Sequence, residues 1–217
     1  MLQNQQIFLD IGFVLALTGL ALAIFSDHLQ VIAKYHGATK HLVASGYNQA
    51  MKVMVVNRIG AVLYFVLLAY NIDNRLDPSV LKFGLGVTIL LSILPTIGVL
   101  AWLQKRFNEL EVTHSVINLK IWDKKIVVAT FFATLFNLFG LTLPWIAGAT
   151  FPEWRLTLAN TSFIFNTIFT VINVFYIENR LAFLIDTKET EIHGFVAGVI
   201  IARIAAFIFV GLALISL

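Results

Sequence analysis

Six apolar stretches recur along the chain with only short polar gaps between them: Ile7 to Phe25, Leu42 to Tyr70, Val80 to Leu103, Ile126 to Ala149, Leu156 to Ile177 and Ile192 to Leu217. A helix crossing the hydrocarbon core needs about 20 mainly apolar residues at 1.5 Å rise each. Only 12% of the 217 residues are charged, against about a quarter in a soluble domain, and the mean hydropathy is +0.87. The sequence therefore predicts an all-α, polytopic integral membrane protein of about six transmembrane helices, forming one domain over residues 1–217. The first stretch lacks a basic leader and carries Asp10 inside it, so it is expected to be a retained helix and not a signal peptide.

Charge placement predicts an orientation. The first, third and fifth loops and their flanks hold Lys34, Lys40, Lys105, Arg106, Lys120, Lys124, Lys125, Arg180 and Lys188, nine in all, against Arg75, Lys82 and Arg155 on the other side. Lys and Arg collect on the cytoplasmic face, so both termini are expected outside, as an even number of spans requires. The same rule accounts for the net charge of +3 without nucleic acid as a partner. Within the loop 104–125, the mixed segment Phe107 to Trp122 is expected to lie on the cytoplasmic membrane surface as an amphipathic helix between basic residues that attract anionic lipid. Trp102, Trp122, Trp145 and Trp154 fall near span ends, where indoles anchor at headgroup level.

The residues with chemical potential are the polar ones at depth. Arg58 lies mid-way along the second stretch and Arg203 mid-way along the sixth. A charge at bilayer depth costs a few kcal/mol, so it faces a cavity or a partner. A guanidinium keeps its charge and offers a planar fork that grips phosphate or carboxylate bidentately. Two readings stand: each arginine binds an anion or headgroup, or each is clamped to a buried acid such as Asp10 or Glu178. Asn48, Asn57, Asn137, Asn160, Asn166 and Asn173 add a polar series. Asn166, Thr170 and Asn173 share a helix face, which either lines a cavity or bonds a neighbouring helix. Pro95 and Pro144 are expected to kink their helices.

Several chemistries are absent from the sequence. No cysteine is present, the five histidines are expected in loops or at helix ends without a helical i, i+4 pair, and no P-loop, nucleophile elbow or H-E-x-x-H occurs. No metal, cofactor or catalytic residue is expected, and the chain is not expected to be an enzyme.

Two stretches carry a family resemblance. Ser45-Gly46-Tyr47-Asn48, the apolar run to Asn57-Arg58 and the acidic exit at Asp73 form one; Asn179-Arg180-Leu181-Ala182-Phe183-Leu184-Ile185-Asp186 with Ala202-Arg203-Ile204-Ala205 form the other. Together they resemble the Amj family of lipid II flippases over about a third of the chain. The resemblance implies a six-helix flippase of the bacterial inner membrane that moves an undecaprenyl-linked diphosphate precursor for peptidoglycan synthesis, and hence cell-wall biogenesis and cell shape. It implies substrate contacts at Arg58, Arg203, Asn48, Asn57, Arg180 and Asp186. The expected partners are membrane lipids, the anionic lipid-linked substrate and a second copy in a homodimer. The rival expectations are an ion- or proton-coupled small-solute transporter or channel using Asp10, Glu178 or Asp186, and a membrane scaffold or assembly factor whose arginines are helix clamps.

Overall fold

A computed structural model describes residues 2–109, 123–187 and 191–216. All regular structure among them is helical, and six helical stretches are long and apolar enough to cross a membrane. The protein is an all-α, multi-pass membrane protein. Helix α1 (Leu2–Thr39) and α2 (Val43–Asp73) are the first two spans; α3 (Pro78–Leu91) and α4 (Ile93–Glu109) share the third, and α5 (Lys124–Thr150) is the fourth. The fifth runs from a 3-10 turn at Pro152–Trp154 through α6 (Arg155–Ile172) and a π-helical segment (Asn173–Glu178) to α7 (Asn179–Thr187), and α8 (Ile192–Ser216) is the sixth.

Two expectations on span limits are corrected. The first span continues past Phe25 to Thr39, so Asp27, His28, Lys34 and His36 are helical and not in a loop. The fifth continues past Ile177, so Glu178, Arg180 and Asp186 are helical as well. In both cases the apolar run stops before the helix does, because the later polar residues find partners inside the protein. Lys34 meets Glu178 at 2.5 Å, with the side chains only 15% and 31% exposed. Of the nine basic residues counted in loops and their flanks, Lys105, Arg106, Lys124 and Lys125 lie at helix ends, whereas Lys34 and Arg180 lie further inside their spans. Most of the segment expected to be amphipathic, residues 110–122, lies outside the described residues.

Local sequence explains the joints. The α1–α2 hairpin closes with Leu42 N–H donating to the Gly37 carbonyl at 2.8 Å, and His41 at φ 55 makes the reversal. Glycines let these helices touch: a Cβ on Gly37 would lie 2.5 Å from Gly46 Cα, and one on Gly19 2.7 Å from the Gly60 carbonyl oxygen. Small residues at a contact allow such backbone approach in a bilayer, where dispersion and not the hydrophobic effect drives association. The Asp77 carboxylate caps α3 by accepting from Ser79 N–H at 2.6 Å, with Pro78 in the first turn.

The two prolines act differently. The third span breaks at Ser92, just after Leu91, whose carbonyl the ring of Pro95 would oppose four residues on. Pro144 stays inside α5, and the Tyr64 hydroxyl donates to the nearby Leu141 carbonyl at 2.5 Å. Pro144 removes the N–H that would bond the Gly140 carbonyl, one residue before Leu141.

The helices pack most closely in two groups, and both apolar cores join the groups. Helices α1 and α2 lie along one another; α8 packs on α3, α4 and α5, and α6 packs on α5. Two apolar cores form, one around Tyr35, Leu103, Ile126, Leu181 and Phe195, the other around Leu20, Tyr64, Leu85, Leu138 and Phe207. Both draw on α1 and α8, and between them in sequence lie Asp27 and His28 on α1 and Arg203 on α8. A polar layer thus sits between two greasy ones.

Candidate functional site

A cavity of about 380 Å³ occupies this polar layer, lined by α1, α2, α5, α6, the π-helical segment, α7 and α8. Helix α1 contributes Asp27, Gln30 and Lys34 at spacings of three and seven, one face of a helix. Helix α2 contributes Asn57 and Arg58, the midpoint of its span, and α8 contributes Arg203 near the middle of its own. Asn137 comes from α5, Asn166 and Thr170 from α6, and Asn173 and Glu178 from the π-helical segment.

The hydrogen bonds are asymmetric. Asn57 Nδ2 donates to the Ala23 carbonyl at 2.7 Å and to Asp27 Oδ1 at 2.9 Å, and Gln30 Nε2 donates to the same Asp27 oxygen at 3.3 Å. Arg203 Nη1 donates to His28 Nδ1 at 3.3 Å, which places the imidazole proton on Nε2, a buried atom without a partner. Asp27 lies within electrostatic reach of both Arg203 and Arg58, but no ion pair within 4 Å joins it to either. Arg58 makes no hydrogen bond among the described residues, and its side chain is exposed.

The sequence-predicted residues therefore divide. Arg58, Arg203 and Asn57 come together in the cavity; Asn48, Arg180 and Asp186 do not line it. Asn48 is exposed in the second turn of α2, and Asp186 is exposed near the end of α7. Arg180 is occupied elsewhere, donating from Nε to Asp123 Oδ2 at 3.0 Å and lying 3.8 Å from Glu191. Nor do the arginines take the acids expected of a clamp: Asp10 is exposed away from the cavity, and Glu178 pairs with Lys34. The acid that faces them is Asp27. The stripe of Asn166, Thr170 and Asn173 opens into the cavity, with Thr170 Oγ1 bonding back to the Asn166 carbonyl at 2.7 Å.

Sequence reasoning does not bring Asp27, His28, Gln30 and Lys34 to the site, because their polar run reads as a loop. His28 also corrects the expectation that every histidine lies in a loop or at a helix end, since it is fully buried within α1. A signal existed: no glycine or proline interrupts the chain from Leu20 to His36, and Asp27, Gln30 and Lys34 keep helical spacing. The π-helical segment has no comparable signal. Such segments often mark functional sites, and this one carries Asn173 and Glu178 to the cavity.

The boundary of the cavity is uneven. Helices α2 and α6 both line it, yet they pack on α1 and α5 and scarcely on each other. At one end they are tied by Arg155, which pairs with Asp73 and donates to the Ile72 carbonyl at 3.4 Å. Toward the other end Lys34 reaches Glu178 and lies 5.2 Å over the Tyr47 ring. Among the described residues no three His, Cys, Asp or Glu side chains are grouped to hold a metal ion. No family model, curated protein or solved structure matches the chain.

Proposed function

We propose that the protein is a flippase for a lipid-linked, diphosphate-bearing substrate of the lipid II kind, working in the bacterial inner membrane for peptidoglycan synthesis. The observation that carries this reading is the exposed, hydrogen-bond-free guanidinium of Arg58 at the midpoint of a span, beside Arg203 in one cavity. A permanent charge at that depth calls for an anion. The sparse packing of α2 on α6 beside the cavity suits a substrate whose tail stays in lipid, and the asparagines suit sugar hydroxyls and peptide amides.

Reconstituted vesicles and a fluorescent lipid-linked oligosaccharide test the reading. Arg58→Lys keeps the charge and loses the fork, so flipping is expected to fall about tenfold or more, on the order of one lost bidentate contact, with folding preserved. Arg203→Ala is expected to abolish it. Unchanged flipping by Arg58→Ala and Arg203→Ala refutes headgroup binding. If the arginines were clamps, each Ala change would instead lower stability by about 3–5 kcal/mol, and Asp27→Asn would restore it.

A further inference from the structure

The cavity's charges do not balance a diphosphate. Lys34 and Glu178 neutralise one another, which leaves Arg58 and Arg203 against Asp27, two cations and one anion. A diphosphate diester carries two negative charges. Its entry would leave one negative charge in excess, inside a span where uncompensated charge is costly. The excess falls on Asp27, because the incoming phosphates take the two guanidinium groups that face it. A proton removes it.

We propose that Asp27 is a protonation site that couples binding of an anionic diphosphate headgroup in this cavity to the uptake of one proton. The inference rests on the headgroup reading above. The geometry supplies the acceptor: both Asn57 and Gln30 donate to Oδ1, while Oδ2 has no hydrogen-bond partner among the described residues. The new O–H bond forms at Oδ2, with the proton drawn from an acid in solution. Other titratable groups facing Asp27 are less suited. His28 already carries a proton on Nε2, and protonating Nδ1 would remove the acceptor that Arg203 uses. Glu178 is held by Lys34, and α5 offers Asn137, which does not titrate. Arg58 from α2 and Arg203 from α8 keep their charge throughout.

Calorimetry on the full chain in detergent, with farnesyl diphosphate N-acetylglucosamine as the probe, tests this directly. Its diphosphate diester does not titrate near neutral pH, so any proton taken up belongs to the protein. Buffers of different ionisation enthalpy are expected to show about one proton bound per probe, and affinity is expected to weaken by up to about tenfold per pH unit as pH rises. Asp27→Asn is expected to lose the uptake and flatten the pH profile, while Asp27→Glu keeps both. Should Asp27→Asn not fold, a displaced pH midpoint in Asp27→Glu supports the assignment and an unmoved one overturns it. Binding without uptake in the native chain, or uptake that survives Asp27→Asn, overturns the proton site and leaves headgroup binding standing. No binding at any pH overturns both.

Discussion

Asn57 spends both hydrogens of its amide within the first hairpin, one on the Ala23 carbonyl and one on the Asp27 carboxylate. It stands one residue before Arg58, so the same turn of α2 steadies the anion and presents the cation. Hydrogen bonds to charged groups are worth about 1.5–3 kcal/mol each. Asn57→Leu is therefore expected to lower stability by about that amount, read as a fall in the midpoint of thermal unfolding in detergent. A neutral result would mean that the amide only fills space.

Among the elements, the α1–α2 hairpin is the most tightly specified, since its two glycine contacts leave no room for a Cβ. Gly60→Ala would set a methyl 2.8 Å from the Gly19 carbonyl oxygen, and overpacking of this kind costs about 1–3 kcal/mol. Gly98→Ala is the control: nothing lies within 4 Å of its Cβ, so no loss in thermal unfolding is expected. The hairpin also shows how far the sequence could be read. Apolar length located all six spans, and the cost of buried charge picked out Arg58 and Arg203. Length failed where polar residues turn inward, as at Asp27 and Glu178, because hydropathy does not register a partner on another helix. Arg180 and Asp186 enter as substrate contacts through the family resemblance and Asn48 through the polar series as well, and none lines the cavity.

At the scale of the whole molecule, orientation is expected to follow the basic residues at the span ends and in the loops. With Lys34 and Arg180 set aside as lying inside their spans, Lys40, the helix-end residues Lys105, Arg106, Lys124 and Lys125, and Lys120 and Lys188 outside the described residues still outnumber Arg75, Lys82 and Arg155. The chain has no native cysteine, so single cysteines report sidedness cleanly. A cysteine at Asp77 is expected to react with an impermeant maleimide in intact cells, and one at Lys40 only after permeabilisation. The reverse pattern would put the charged loops outside.

The polar layer is shared between the hairpin and the helices packed around α5 and α8, which makes it a gauge of the distance between them. Asp27, Asn57 and Arg58 ride on the glycine-locked hairpin, while Arg203 belongs to the helices packed around α5 and α8. If the hairpin rocks against the other helices, the first three travel as one passenger and keep their mutual distances, while their distances to Arg203 and the Arg203–His28 hydrogen bond change. The hairpin would then carry its cation and its anion together, and the opposing guanidinium alone would register whether the jaws are open or shut.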